Sequence, residues 1–392
     1  MTFITSVRCF QVSGRADLPE SAERQVGMLD IYPEFAARPP AVRTPGGRLT
    51  ATYVQIDTDD GASGLFGPIF AETALIIRTK LASHLLGQDP LAGERLWDVL
   101  YRSDRHARKG TIMLAISAVD CALWDLRGKL LDLPVYRLLG GPTRERVACY
   151  ASMLGHSLAP GRVREAAQAA VASGFTAQKW FFRHGPSDGL EGMERNVALV
   201  RTVREAVGPT VEIMLDCWMG WDATYAVRML ERIAEFRPRW LEEPVPPDRI
   251  GDLAAIRRAG QIDRVPIATG EHEYTRWGFL GLLQANAVDV IQADPDWCGG
   301  ISELVKICTL ASAYGRHVVP HGHSVLAAVH VVASQPPATC PLVEFLLLNQ
   351  PYAQHFHREY VAPENGSIEL PTAPGLGIAI DEEKVEERTY LA

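Results

Sequence analysis

The sequence predicts an α/β fold built as a closed (β/α) barrel, and three observations carry that prediction. Short apolar runs alternate with helical patterns such as Ala223 to Phe236, Asp252 to Ala259 and Gly300 to Tyr314. Each run ends in one polar residue able to do chemistry: Lys179, Asp216, Glu242, Glu271, Asp294, His321 and Glu344. These follow one another in steps of 37, 26, 29, 23, 27 and 23 residues. A strand, a helix and two short loops add up to roughly thirty residues. With this many units in one domain a closed barrel is favoured over an open sheet, and barrels place their chemistry at the C-terminal ends of strands. All seven residues fall at such ends.

Taken in order, residues 3–12 and 51–58 alternate as strands, and Asp59-Asp60-Gly61 supplies a turn that returns the second as a hairpin. Between them Gly14 to Thr50 is rich in Pro, Arg and Gly. A loop of that length in a compact domain is functional or disordered. A lid is the favoured reading, because an open barrel mouth does not exclude water. Helical patterns follow at Glu72 to Leu86, Ala92 to Tyr101 and Ile112 to Leu131. The last is strongly apolar, and its acids Asp120 and Asp125 are expected to be paired structurally. Leu138-Leu139-Gly140-Gly141 is a glycine-rich stop. Eight barrel strands are then expected: 147–153, 177–182, 211–215, 239–241, 266–269, 288–292, 317–319 and 342–345. Beyond Gln350 the period is lost, and a loop-rich tail is expected to return to the first domain.

The chain has 392 residues, enough for a large core and more than one domain, with an ordinary 47% hydrophobic and 22% charged composition. A formal net charge of −8, and no basic run of five, argue against a nucleic-acid partner. Seven scattered cysteines, odd in number and never spaced as CxxC, read as reduced core thiols. With no apolar run of membrane-spanning length and no leader-like start, the expected location is the cytoplasm.

Several motifs resemble the enolase superfamily over nearly the whole chain. Leu123-Trp124-Asp125-Leu126-Arg127-Gly128-Lys129 with Leu138-Leu139-Gly140-Gly141 looks like the junction between a capping domain and a barrel. Trp240-Leu241-Glu242-Glu243-Pro244, Gly270-Glu271-His272, Cys298-Gly299-Gly300 and Pro320-His321-Gly322 look like its strand-end motifs. Within the superfamily the chain resembles the mandelate racemase-like group, and there the L-rhamnonate dehydratase-like acid-sugar dehydratases. That likeness rests on His184-Gly185-Pro186-Ser187-Asp188-Gly189, Met214-Leu215-Asp216-Cys217-Trp218-Met219 and Trp297-Cys298-Gly299-Gly300. The resemblance implies a modified (β/α)8 barrel with an α+β capping domain built from the N-terminal region and the C-terminal tail. The expected divisions are 1–141 for the cap with its lid at about 14–50, 142–350 for the barrel, and 351–392 for the returning segment. It also implies a homo-oligomer.

By the same resemblance Asp216, Glu242 and Glu271 are ligands of one Mg²⁺, a hard cation suited to three carboxylates with sites left over. Glu243 is a competing ligand, but strand alternation lets only one of two neighbours face the axis. A proton beside a carboxylate is barely acidic, and a bound metal spreads the charge of the enediolate formed on its removal. His321 and Asp294 look like the family's His-Asp dyad, with His317, His323 and His330 as rivals for the histidine. Lys179 matches the first lysine of the racemases' Lys-x-Lys motif, but Phe181 stands at the second position. A racemase needs acid-base groups on both faces of the reacting carbon. One base therefore favours dehydration, with Lys179 as a cation beside the substrate carboxylate.

Glu344 would donate a hydrogen bond to that carboxylate if its pKa is raised; the alternative is a buried acid paired with a lysine or arginine. The expected substrate contacts are Arg43, Trp218, Trp297 and Phe181, with Trp180 a further candidate at the mouth. No histidine occurs between Gly14 and Thr50. The resemblance implies histidine and arginine substrate contacts in this loop; Arg43 would take the arginine's place, with Arg24, Arg38 and Arg48 as alternatives. The expected activity is dehydration of an aldonate such as L-rhamnonate or L-lyxonate to a 2-keto-3-deoxy acid. The alternatives are a racemase or epimerase of a 2-hydroxy acid and an idle metal-binding sensor of small acids.

Overall fold

The computed structural model describes residues 2–391; Met1 and Ala392, at the ends of the predicted cap and returning segment, lie outside them. The chain opens with an antiparallel sheet of β1 (Ile4–Arg15), β2 (Arg48–Thr58) and β3 (Ser63–Ile69). The predicted hairpin turn stands between β2 and β3, with Gly61 at φ 86°, a conformation that costs glycine little. β1 and β2 run further than their alternation suggests, since Gly14 pairs with Leu49 and Arg15 with Arg48. That shortens the loop between them to 16–47. Two hydrogen-bonded strands can extend past their apolar pattern wherever a partner backbone remains within reach.

Eight parallel strands follow: β4 (Arg146–Ser152), β5 (Ala177–Phe181), β6 (Glu212–Asp216), β7 (Trp240–Glu242), β8 (Ile267–Thr269), β9 (Val290–Ile291), β10 (His317–Val318) and β11 (Val343–Leu346). Consecutive strands are neighbours from β4 to β10, and β11 lies beside β4. Between β10 and β11 the ring is joined by Val318 N–H donating to Thr339 O at 2.8 Å. Helices such as Gly189–Val207, Ala223–Ile233 and Gly300–Ala313 connect the strands. β9 and β10 are shorter than the predicted 288–292 and 317–319, because regular pairing stops where the chain turns into the loops that carry the site. β12 (Ser367–Glu369) pairs with β4, and β13 (Glu387–Tyr390) joins β1 as the fourth strand of the first sheet. The tail thus returns to the N-terminal region. No helix among the described residues is long and apolar enough to cross a membrane.

The Thr111–Leu130 helix joins the two sheets. Its buried Asp125 accepts N–H donors from Leu65 on β3 and Leu376 in the tail, both at 2.8 Å. Asp120 accepts the N–H and hydroxyl of Ser302, at 2.9 and 2.7 Å. Both acids are paired structurally, as expected, since a buried carboxylate left without donors is costly. Gly300 holds φ 89°, and a Cβ there would meet Asp120 Oδ2 at 2.3 Å, so glycine is needed for this close approach. All seven cysteines are buried and free.

The barrel interior holds one residue from each strand or strand end: Tyr150, Ala177, Met214, Trp240, Ala268, Val290, Val319 and Leu342. Side chains of a strand alternate, so the residue two positions on shares the same face. Two positions on from these eight stand Ser152, Lys179, Asp216, Glu242, Gly270, Gln292, His321 and Glu344. An apolar floor thus carries a polar layer directly above it.

Candidate active site

Lys179 is the hub of that layer, 3% exposed. Its ammonium lies 2.5 Å from Glu242 Oε1, 2.8 Å from Glu344 Oε1 and 3.3 Å from Asp216 Oδ2. Burial opposes its charge, but Glu242 and Glu344 outweigh that and hold its pKa well above the ordinary value. Trp240 Nε1 donates to the second oxygen of Glu242 at 2.9 Å. Glu344 also accepts the N–H of Gly322 at 3.0 Å.

Despite burial, Lys179 and His321 lower Glu344 to about 2. Of the two readings left open for Glu344, this pairing goes with the ionised acid. The acid is paired with a lysine, the alternative reading, because the same barrel face brings Lys179 to it.

Glu271 and Asp294 reach the site differently. Gly270 occupies the polar-layer position of β8 with φ 124°, which turns the chain and brings Glu271 inward. His321 Nδ1 lies 2.7 Å from Asp294 Oδ2, and its Nε2 lies 3.5 Å from Glu271 Oε2. Asp294 also accepts N–H donors from Asp296 at 2.7 Å and His323 at 3.2 Å, so its carboxylate is rigidly oriented. Burial opposes protonation of His321, yet Glu271 and Asp294 raise it to about 10.

Burial, against the pull of Lys179, pushes Asp216 up to about 6 and Glu242 up to about 8. Burial raises Glu271 to about 7, against the pull of His321.

The structure brings together all seven strand-end residues, but not as a compact metal trio. Lys179 draws Asp216 and Glu242 to itself. Instead, among the described residues, Glu243, Glu271 and His272 offer ligand atoms mutually within 4.8 Å. The expectation that only one of Glu242 and Glu243 turns inward needs correction. Glu243 lies just past the end of β7 at φ 40°, which frees it from strand alternation. Its carboxylate is buried and meets His272 Nδ1 at 2.9 Å. Glu243, weighed from sequence as a competing ligand and set aside, is thus a site residue, and so is His272, to which sequence reasoning gave no role though it stands inside a quoted motif.

Of the expected substrate contacts, Phe181 shares the interior face of Lys179 and is buried. Trp297 packs between histidines, with ring centroids 4.9 Å from His321, 5.2 Å from His323 and 5.7 Å from His272. Trp218 is 40% exposed at the mouth and faces Gly27 of the lid. Trp180 is a correction: alternation turns it outward, and it is fully buried in the core around the barrel.

The lid is packed. Val26 is buried against Gly220, and its N–H donates to Phe182 O at 2.8 Å. Arg24 is used inside the lid, on Asp30 and the carbonyls of Phe35 and Ala36. Arg38 lies over the Phe35 ring. Arg48 pairs with Glu386 and Glu387 of the tail. Arg43 reaches across to Asn349 Oδ1 and lies over the Tyr352 ring at 5.1 Å. It is the lid arginine that meets the barrel mouth.

The donor set asks for a cation. Five buried carboxylates, Asp216, Glu242, Glu243, Glu271 and Glu344, converge on one ammonium and two imidazoles. Crowded acids in so dry a place resist ionising together, and a hard divalent ion suits all-oxygen donors.

Residues 162–384 match the family model "Enolase C-terminal domain-like", and residues 30–140 match the N-terminal domain of mandelate racemase / muconate lactonizing enzyme. The chain is 37% identical to an L-rhamnonate dehydratase of Saccharopolyspora erythraea over 99% of both chains. Rhamnonate dehydratase of Gibberella zeae, solved in complex with Mg, superposes with a TM-score of 0.84 at 30% identity, covering 98% of this chain and 96% of that one. The 3,6-anhydro-D-galactonate cycloisomerase of Zobellia galactanivorans superposes at 0.79 with 29% identity, covering 98% and 100%. The chain is therefore an enzyme of the enolase superfamily, in its mandelate racemase / muconate lactonizing enzyme family.

Proposed function

We propose that this enzyme dehydrates an aldonate to a 2-keto-3-deoxy acid, with L-rhamnonate or L-lyxonate as the substrate. The observation that carries this reading is the single-sided placement of the base. His321, oriented by Asp294, stands on one side of the polar layer, and on the other side Lys179 is paired with Glu344, an acid outside the proposed ligand set. Phe181 fills the position where a second base would stand. The 37% identity to an L-rhamnonate dehydratase supports the same substrate class.

Asp216, Glu242 and Glu271 would hold Mg²⁺. Bound there, the ion would offset the negative charge that builds on the substrate carboxylate as the C2 proton leaves. His321 Nε2 takes that proton while Asp294 holds Nδ1 and stabilises the imidazolium. The ring is a base in the state where Glu271 serves another cation and no longer holds its proton. The same imidazolium then protonates the departing C3 hydroxyl, which leaves as water. The resulting enol gives up the proton of its C2 hydroxyl to solvent and takes one at C3, becoming the 2-keto-3-deoxy acid. The buried Lys179 ammonium supplies fixed positive charge beside the reacting carboxylate. Phe181, Trp297 and the packed lid exclude water, which strengthens every one of these electrostatic contacts.

The test is incubation of purified enzyme and Mg²⁺ with a panel of aldonates, scored for keto acid and, in D₂O, for deuterium at C2. Keto acid from one configuration is the expected result. Exchange or epimer without keto acid would replace this reading by an epimerase.

A further inference from the structure

Asp296 and His323 repeat the arrangement of Asp294 and His321. In each pair the histidine follows the aspartate by 27 residues, and Asp296 Oδ2 lies 2.6 Å from His323 Nδ1. The His323 ring is clamped between Trp297 at 5.2 Å and Phe70 at 5.7 Å. With Nδ1 committed to Asp296, Nε2 is the nitrogen left to act, and it has no hydrogen bond among the described residues.

His323 stands two residues beyond His321 and borders a cavity of about 290 Å³, shared with Arg43, Thr50, Pro68, Asn349 and Tyr352. Its walls come from the lid, the first sheet and the loops after β10 and β11. Arg43 spans the cavity's polar side through Asn349 and Tyr352. The volume holds roughly nine water-sized groups at about 30 Å³ each, more than the tail beyond C3 of a five- or six-carbon acid requires. A larger cavity of about 580 Å³ lies beneath the lid, walled by Met28, Leu29, Phe35 and Trp218 together with Arg24, Arg38 and Arg43, but it does not touch His323. Hydroxyls lose their water more cheaply where convergent polar groups replace it.

We propose that the cavity at His323 is the subsite for the hydroxylated tail of the sugar acid, with His323 Nε2 reading a tail hydroxyl beside Arg43 and Asn349. The proposal rests on the aldonate reading above. A hydroxyl both donates and accepts, so it can satisfy Nε2 in either protonation state. His323 is then a specificity residue, separate from the proton transfer at His321.

The experiment compares L-rhamnonate with glycerate, which carries the reacting carbons and no tail, by turnover and by titration calorimetry in Mg²⁺. His323→Gln is expected to weaken L-rhamnonate about tenfold in KM and Kd and to leave glycerate kinetics unchanged. Arg43→Gln, in the lid, is expected to weaken L-rhamnonate likewise in Kd and carries the test if His323→Gln does not fold. Equal losses on both acids would mean that the His323 side chain acts only by holding Asp296 and the loop around the dyad, and would overturn the subsite. So would no loss on either. An enzyme that binds L-rhamnonate with this His323 dependence but makes no keto acid would keep the subsite and lose the dehydratase reading. One that dehydrates L-rhamnonate indifferently to His323 and Arg43 would do the reverse.

Discussion

The Nζ of Lys179 lies 2.8 Å from Oε1 of Glu344, across the barrel interior from the strand that carries Asp216. One ammonium therefore balances acids from three strands. Removing one partner of such a buried group leaves charge uncompensated, at a cost of about 3–5 kcal/mol. Lys179→Met should lower unfolding stability by that order, read by denaturant titration, and abolish turnover. Adding Glu344→Gln should recover part of the stability and none of the turnover. Full additivity of the two substitutions would show that the pair is not coupled.

His321→Asn should reduce kcat by about 10²–10⁴ while aldonate binding in Mg²⁺ stays within a few-fold, since the loss is of proton transfer. Deuterium at C3 of the keto acid formed in D₂O should vanish with it. Asp294→Asn should lower kcat with little change in KM, because it releases the imidazole from its orienting carboxylate.

Chelation should inactivate the enzyme and Mg²⁺ should restore it. At about 100 times its Kd the ion should stabilise the fold by about 2.7 kcal/mol. Glu242→Gln and Glu271→Gln should each weaken Mg²⁺ at least tenfold by calorimetry, and Glu243→Gln by less than about threefold. The reverse order for Glu242 and Glu243 would move the ligand assignment to the group of Glu243, Glu271 and His272.

Two buried histidines away from the site predict acid sensitivity. His330 accepts the N–H of Tyr136 at 3.2 Å, and burial lowers its pKa to about 4; burial lowers His357 to about 4 as well. The unfolded chain binds these protons at about 6.5 and the folded one does not, so stability is present above about 6.5 and falls as pH drops toward 4. The expected loss is a few kcal/mol, read from denaturation midpoints across that window. His330→Asn keeps an acceptor for Tyr136 and should flatten the slope; an unchanged slope would show that other groups set it.

The sequence by itself determined the barrel and the strand ends. Its apolar runs recur at the length of a strand-helix unit, and alternation fixes which residues share a face. Lys179, Asp216, Glu242, His321 and Glu344 lie two positions beyond the apolar floor residues Ala177, Met214, Trp240, Val319 and Leu342. That placement is local, so it was legible. The motifs leave Trp180 open between mouth and core, although the same alternation turns it outward into the core.

What only the tertiary structure decided are relationships between strands and departures from regular backbone. The ionisation of Glu344 depends on Lys179, from a strand more than a hundred residues away in sequence. Glu243 turns inward at φ 40°, a torsion that the Glu242-Glu243-Pro244 motif does not announce. His323 acquires meaning from Asp296 and Trp297, which hold its ring, and from Arg43, which a distant segment brings to the same cavity. A shared face follows from a period of two along one strand. A shared cavity follows from packing distant segments together, and no local pattern encodes that distance.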